Sequence, residues 1–137
     1  MHFEYKVEGG DFTLAGYASS QIKKTLKQLG ADPAVIKRVV VALYEAEVNI
    51  VAHAYRGVIY ADIQPGGIIL RLVDEGPGIP DVEMAMTKGF STASPQVREM
   101  GFGAGMGLPN ISENADSFSI ETEVNKGTTL TIEISFK

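Results

Sequence analysis

Near the end of the chain, from Leu130 to Phe136, every second residue is apolar. Leu130, Ile132, Ile134 and Phe136 fall on one side of an extended backbone, and Thr129, Thr131, Glu133 and Ser135 on the other. A strand of this kind has one face to bury and one face to wet, so the chain needs a sheet with helices packed on one side and no third layer. Thr128–Phe136 pairs in the sequence with Ser117–Val124 across Asn125-Lys126-Gly127. Val58–Gln64 pairs in the same way with Ile68–Val73 across Pro65-Gly66-Gly67. His2–Val7 alternates as well, with Phe3, Tyr5 and Val7 on one side. The expected fold class is α+β, a two-layer α/β sandwich with a mixed sheet covered on one face.

Two helices are expected to supply that cover. Leu14, Ala18, Ile22, Leu26 and Leu29 recur at helical spacing between Asp11, an N-cap candidate, and Gly30, a C-terminal stop. Asp32-Pro33 is a second start signal, and Val35–Tyr55 is apolar on most faces, as a buried central helix requires. A third helix is expected over Leu108–Asn114. A length of 137 residues suits one domain. The formal net charge of −5, with no block of five like charges, argues against a nucleic-acid surface. The absence of cysteine excludes disulfides, thiolate metal sites and a cysteine nucleophile. No apolar run approaches the roughly 18 residues of a membrane span, so a soluble, cytoplasmic protein is expected.

Three constellations carry chemistry. Glu45, Asn49 and His53 recur every fourth residue on the central helix, a polar stripe that implies a ligand, an ion, an internal network or simply a solvated face. Glu47 lies on roughly the opposite side. Asp74-Glu75-Gly76-Pro77-Gly78 follows directly on a strand, where a capped turn is the plain alternative. Gly101, Gly103, Gly105 and Gly107 alternate just before the third helix, able to bring backbone N–H groups to phosphates or simply to form a hinge. Seven of the 15 glycines (Gly76, Gly78, Gly89, Gly101, Gly103, Gly105, Gly107) bound a long stretch without periodicity, which reads as a lid. The dinucleotide fingerprint, the P-loop and the protein-kinase motifs are all missing.

Each signal is weak alone, but their order is specific. Glu45-x-x-x-Asn49, Asp74-x-Gly76-x-Gly78, a lid, Gly101 to Gly107 and Gly127-Thr128 together resemble the Bergerat ATP-binding fold of the GHKL superfamily, which includes type II topoisomerases, MutL and histidine kinases. The likeness spans essentially all of residues 1–137, as a single GHKL or histidine kinase-like ATPase domain with a mostly antiparallel sheet. It is greatest to bacterial anti-sigma factor serine/threonine kinases and switch kinases. The resemblance implies ATP and Mg²⁺ as cofactors, with Asp74 on the adenine amino group and Thr128 supporting it through its hydroxyl. Asn49 would be the magnesium ligand and Glu45 the general base. Gly76, Gly78, Gly101, Gly103, Gly105 and Gly107 would shape the nucleotide site, with Lys88 and Arg98 as candidate cationic helpers. His53 reads as a satisfied helix residue.

The function implied is phosphorylation of a serine or threonine on a STAS-type anti-anti-sigma partner. A sigma factor and a second copy of the chain are further candidate partners; nucleic acid and membrane are not. A nucleotide-gated regulator-binding module with little catalysis is the main rival, and a plain ATPase is another. Glu45 favours the kinase, since a module that only binds needs no base.

Overall fold

The computed structural model describes residues 1–79, 81–86 and 107–137, with the backbone alone for Glu83 and Met84. The alternating segments form five strands: β1 (His2–Glu8), β2 (Arg56–Gln64), β3 (Gly67–Glu75), β4 (Ser117–Glu123) and β5 (Gly127–Ser135). Their spatial order is β1-β2-β3-β5-β4, and every neighbouring pair is antiparallel. The helices are α1 (Tyr17–Gln28), α2 (Pro33–His53), the single turn α3 (Val82–Ala85) and α4 (Gly107–Asn114). The two-layer α+β architecture is as expected, but among the described residues the sheet is antiparallel throughout rather than mixed. Among the described residues no helix is long and apolar enough to cross a membrane.

Register explains the core. Leu70 faces Ile132 and Leu72 faces Leu130 across the β3–β5 pair, while Ile59 faces Leu72 and Ala61 faces Leu70 across β2–β3. These side chains meet Ile22 and Leu26 of α1, Val39, Ala42, Leu43 and Ala46 of α2, and Ile111 of α4; each is 1% exposed or less. The outer face is polar and half-wet, with the Arg71 guanidinium 5.7 Å from the Tyr60 ring centre.

The helix boundaries repay attention. Asp32 caps α2 as expected, accepting the Ala34 N–H at 2.8 Å with Pro33 in the first turn. The stop after α1 is also as expected. Gly30 is left-handed at φ +75°, and the N–H groups of Gly30 and Ala31 reach back to Lys27 and Leu26. The start of α1 differs. Asp11 makes no capping bond and accepts instead from the Thr13 hydroxyl at 2.6 Å. Phe12–Leu14 forms one 3₁₀ turn, and the chain reverses through left-handed Gly16 before the helix begins at Tyr17. Leu14 therefore lies outside the helix, 62% exposed, and Leu29 at the other end is 50% exposed.

The cap that Asp11 does not provide comes from α2. Glu47, 2% exposed, accepts the N–H groups of Ala18 (3.1 Å) and Ser19 (3.3 Å) and the Ser19 hydroxyl (3.3 Å). A carboxylate at the positive end of a helix dipole, with three donors, can stay charged inside a core. Burial nonetheless pushes its pKa up, partly offset by those bonds.

Candidate functional site

The polar stripe of α2 lies where the helix is only partly covered. Glu45, Asn49 and His53 remain half-buried while their neighbours Ala46, Val48, Ile50 and Val51 are buried. The stripe meets α4. A methyl group placed on Gly107, the first residue of α4, would lie 3.5 Å from Glu45 Oε2. The Asn110 side chain, one turn on, hydrogen-bonds the same carboxyl. Desolvation raises the Glu45 pKa and the Asn110 bond opposes the rise. A carboxyl group shifted upward toward neutrality is better matched to general-base work than an exposed one. Burial also lowers the pKa of His53, which favours the neutral imidazole.

The position of α4 is fixed at its far end. Arg38 of α2 donates to the Asn114 carbonyl at 3.1 Å and to Asp116 at 3.0 Å, and Asp116 in turn accepts the Ser135 N–H at 2.6 Å. One guanidinium thus satisfies a helix-terminal carbonyl and joins α2, α4 and β5.

The second pole of the site lies where the apolar stripe of the sheet runs out. Residues 68, 70 and 72 of β3 are buried, and Asp74 continues the same parity; 130, 132 and 134 of β5 are buried, and Thr128 precedes them in phase. Asp74 Oδ1 accepts the backbone N–H of Thr128 at 3.0 Å. Desolvation raises the Asp74 pKa and this bond lowers it. The Thr128 hydroxyl does not turn to Asp74. It lies 2.9 Å from the Thr122 hydroxyl, and Thr122 Oγ1 also accepts the Ile79 N–H at 2.8 Å. What joins Asp74 to Thr128 is the backbone, and Thr122 was not singled out by the sequence.

A seam of backbone bonds holds the loop after β3 against the β4–β5 turn. Gly76 N–H donates to Lys126 O at 3.0 Å and Asn125 N–H to Pro77 O at 2.8 Å. Gly78, at φ +76°, lies so close to Glu123 that a Cβ would strike the Glu123 carbonyl oxygen. At Gly127 a Cβ would overlap the Asp74 carbonyl oxygen and sit 3.2 Å from Asp74 Oδ1. Any side chain at this position would crowd the carboxylate, so glycine keeps its edge open.

These residues fit an adenine nucleotide with magnesium. An open, partly desolvated carboxylate suits an exocyclic amino donor. Among the described residues no group of three or more His, Asp or Glu could hold a metal, so an ion beside Asn49 would take most of its oxygens from phosphate and water, as Mg²⁺ does. Gly101, Gly103, Gly105, Lys88, Arg98 and most of the expected lid lie outside the described residues. Asn110 escaped the sequence reading because an asparagine in a short helix has no distinguishing spacing. Only the packing of α4 on α2 brings it to Glu45.

The sequence profile of the histidine kinase-like ATPase domain matches residues 13–134. The serine/threonine-protein kinase RsbT of Bacillus subtilis is 33% identical over 110 residues, 77% of each chain. The anti-sigma F factor of Clostridium kluyveri is 33% identical over 137 residues, 95% of this chain and 88% of that protein. Among solved structures, the RsbU and RsbW domains of a Mycobacterium tuberculosis protein superpose with TM-score 0.64 at 18% identity, over 98% of this chain and 32% of that longer one. The mycobacterial sensor histidine kinase MprB superposes with TM-score 0.55 at 16% identity, over 98% and 97%. On this profile match and these relatives, the chain belongs to the histidine kinase-like ATPase domain family.

Proposed function

We propose that the chain is an ATP- and Mg²⁺-dependent serine/threonine kinase of the anti-sigma regulatory type, acting in the cytoplasm on a small STAS-type partner. The observation that carries this reading is the Glu45 carboxyl, half-buried, raised in pKa and set against Gly107 and Asn110 at the start of α4. A module that only binds nucleotide has no use for a base there. The relatives, a serine/threonine-protein kinase and anti-sigma F factors among them, support both a kinase and a sigma-regulating role.

In this reading Asp74 accepts a hydrogen bond from the adenine amino group and rejects guanine, which presents an acceptor at that position. Gly76 and Gly78 keep the loop beside the base close to the β4–β5 turn. Asn49 offers its amide oxygen to the metal. ATP, when bound, supplies the γ-phosphoryl group that passes to the partner's hydroxyl as ADP leaves. Glu45 takes the proton that hydroxyl gives up. Gly101, Gly103, Gly105 and Gly107 are the backbone donors toward the phosphates.

Glu45→Ala and Asn49→Ala separate these roles although they lie one turn apart. Loss of a base costs about 10²- to 10⁴-fold in rate and leaves the ground-state complex. Glu45→Ala is therefore expected to bind Mg-ATP nearly as the wild type does and to lose transfer. Asn49→Ala is expected to lose the magnesium-dependent part of affinity as well. Calorimetry with and without Mg²⁺, and transfer of labelled γ-phosphate to STAS proteins of the same genome, measure both. Full transfer by Glu45→Ala would exclude Glu45 as the base. Nucleotide binding without transfer to any such partner would favour the binding-module reading.

A further inference from the structure

A groove of about 450 Å³ runs between the C-terminal half of α1 and the N-terminal half of α2. Its floor is apolar, with Ile36, Val40 and Val41 of α2, and its banks carry Lys23 and Lys27 of α1 and Lys37 of α2. Lys23 and Lys27 are one helical turn apart, so their ammonium groups line one bank in succession. The chain as a whole is acidic, with 17 Asp and Glu against 12 Lys and Arg, yet no carboxylate lines this groove. Among the described residues none of the three lysines joins an ion pair. None of the residues assigned to the site above lines the groove, and Val41 at its edge lies one turn before Glu45 on α2.

We propose that this groove docks an amphipathic helix of a partner protein, one whose apolar stripe is flanked by acidic residues. The banks are helices with no unpaired backbone edge, which leaves nothing for an added strand to pair with. A helix can lay i, i+3, i+4 and i+7 side chains into such a trough. Three cations around an apolar floor, set in an otherwise acidic molecule, select Glu or Asp on the rims of that helix and steer its approach. An anionic membrane is a poor match, because the apolar floor is recessed rather than protruding and the net charge of −5 is repelled. The inference does not depend on the kinase reading.

The test uses the full chain and a labelled helical probe peptide with a leucine stripe at i, i+3, i+4 and i+7 flanked by glutamates. A second peptide carries lysines in place of the glutamates. Fluorescence anisotropy is expected to show salt-sensitive binding of the glutamate peptide by the wild type, and at least tenfold weaker binding of the lysine peptide. Lys23→Glu, Lys27→Glu and Lys37→Glu combined should reverse that order of preference, and Val40→Asp should abolish binding of both peptides. Amide shifts on titration should cluster in α1 and the first half of α2. The triple lysine variant should leave the melting temperature within a few degrees, since its altered side chains are exposed, and it carries the test if Val40→Asp, partly buried against the core, lowers stability. Equal affinity for the two peptides, unchanged binding by the charge-reversed chain, or shifts elsewhere would overturn the proposal. Binding to vesicles of anionic phosphatidylglycerol in place of the peptide would do the same.

Discussion

Asp74 shows how a single side chain is held in tension between stability and use. Its carboxyl is partly desolvated and has one backbone donor, so its folded-state pKa lies above the ordinary 3.8. A group whose folded pKa is raised binds its proton more tightly in the folded state. Its favourable contribution is complete below the unfolded value and is lost as pH rises through the folded one. Asp74→Asn keeps an oxygen for the Thr128 N–H and removes the charge. Relative to wild type, the stability of the nucleotide-free variant should therefore increase as pH is raised from about 4 toward 8, measured by urea denaturation. The same variant should bind ATP at least about tenfold more weakly, having lost a charge-assisted acceptor. A flat stability difference across this range would mean that Asp74 is not desolvated in solution.

At the scale of elements, the capping of α1 by Glu47 ties two helices together through three hydrogen bonds. Glu47→Ala leaves the Ala18 and Ser19 N–H groups buried without an acceptor and should cost about 2 kcal/mol. That corresponds to a fall of roughly 6 °C in melting temperature by calorimetry. Glu47→Gln should lose less, because an amide oxygen still accepts from one of them. The pair also shows what a sequence can disclose. Asp32-Pro33, the Gly30 stop and the alternation of β5 are legible because cause and effect lie within a few residues of each other. Glu47 lies 29 residues from Ala18, so nothing in the spacing of α1 announces its cap, and the nearby Asp11 was the natural misreading. The site divides in the same way. Glu45, Asn49 and Asp74 stand out as polar residues where apolar periodicity predicts burial, whereas Asn110 and Thr122 acquire meaning only from what packs beside them.

For the whole molecule, the order β1-β2-β3-β5-β4 puts sequence-distant strands side by side at the centre of the sheet. Mg-ATP present at about 100 times its dissociation constant should stabilise the chain by about 2.7 kcal/mol. GTP at equal concentration should give a much smaller shift. Comparable thermal shifts with the two nucleotides would refute the adenine role of Asp74. The seam between β3 and β5 bears on the same experiment. Asp74 to Thr128, Gly76 to Lys126, Asn125 to Pro77, Glu45 to Asn110 and Arg38 to Asn114 all join residues 1–77 to residues 107–137. The β3–β5 ladder crosses the same boundary, and the two stretches share one core. A nucleotide held by Asp74 on one side and Gly107 on the other would act as a staple across that boundary. Amides of α4 and β5 would then exchange with deuterium more slowly in its presence, even where they never touch it.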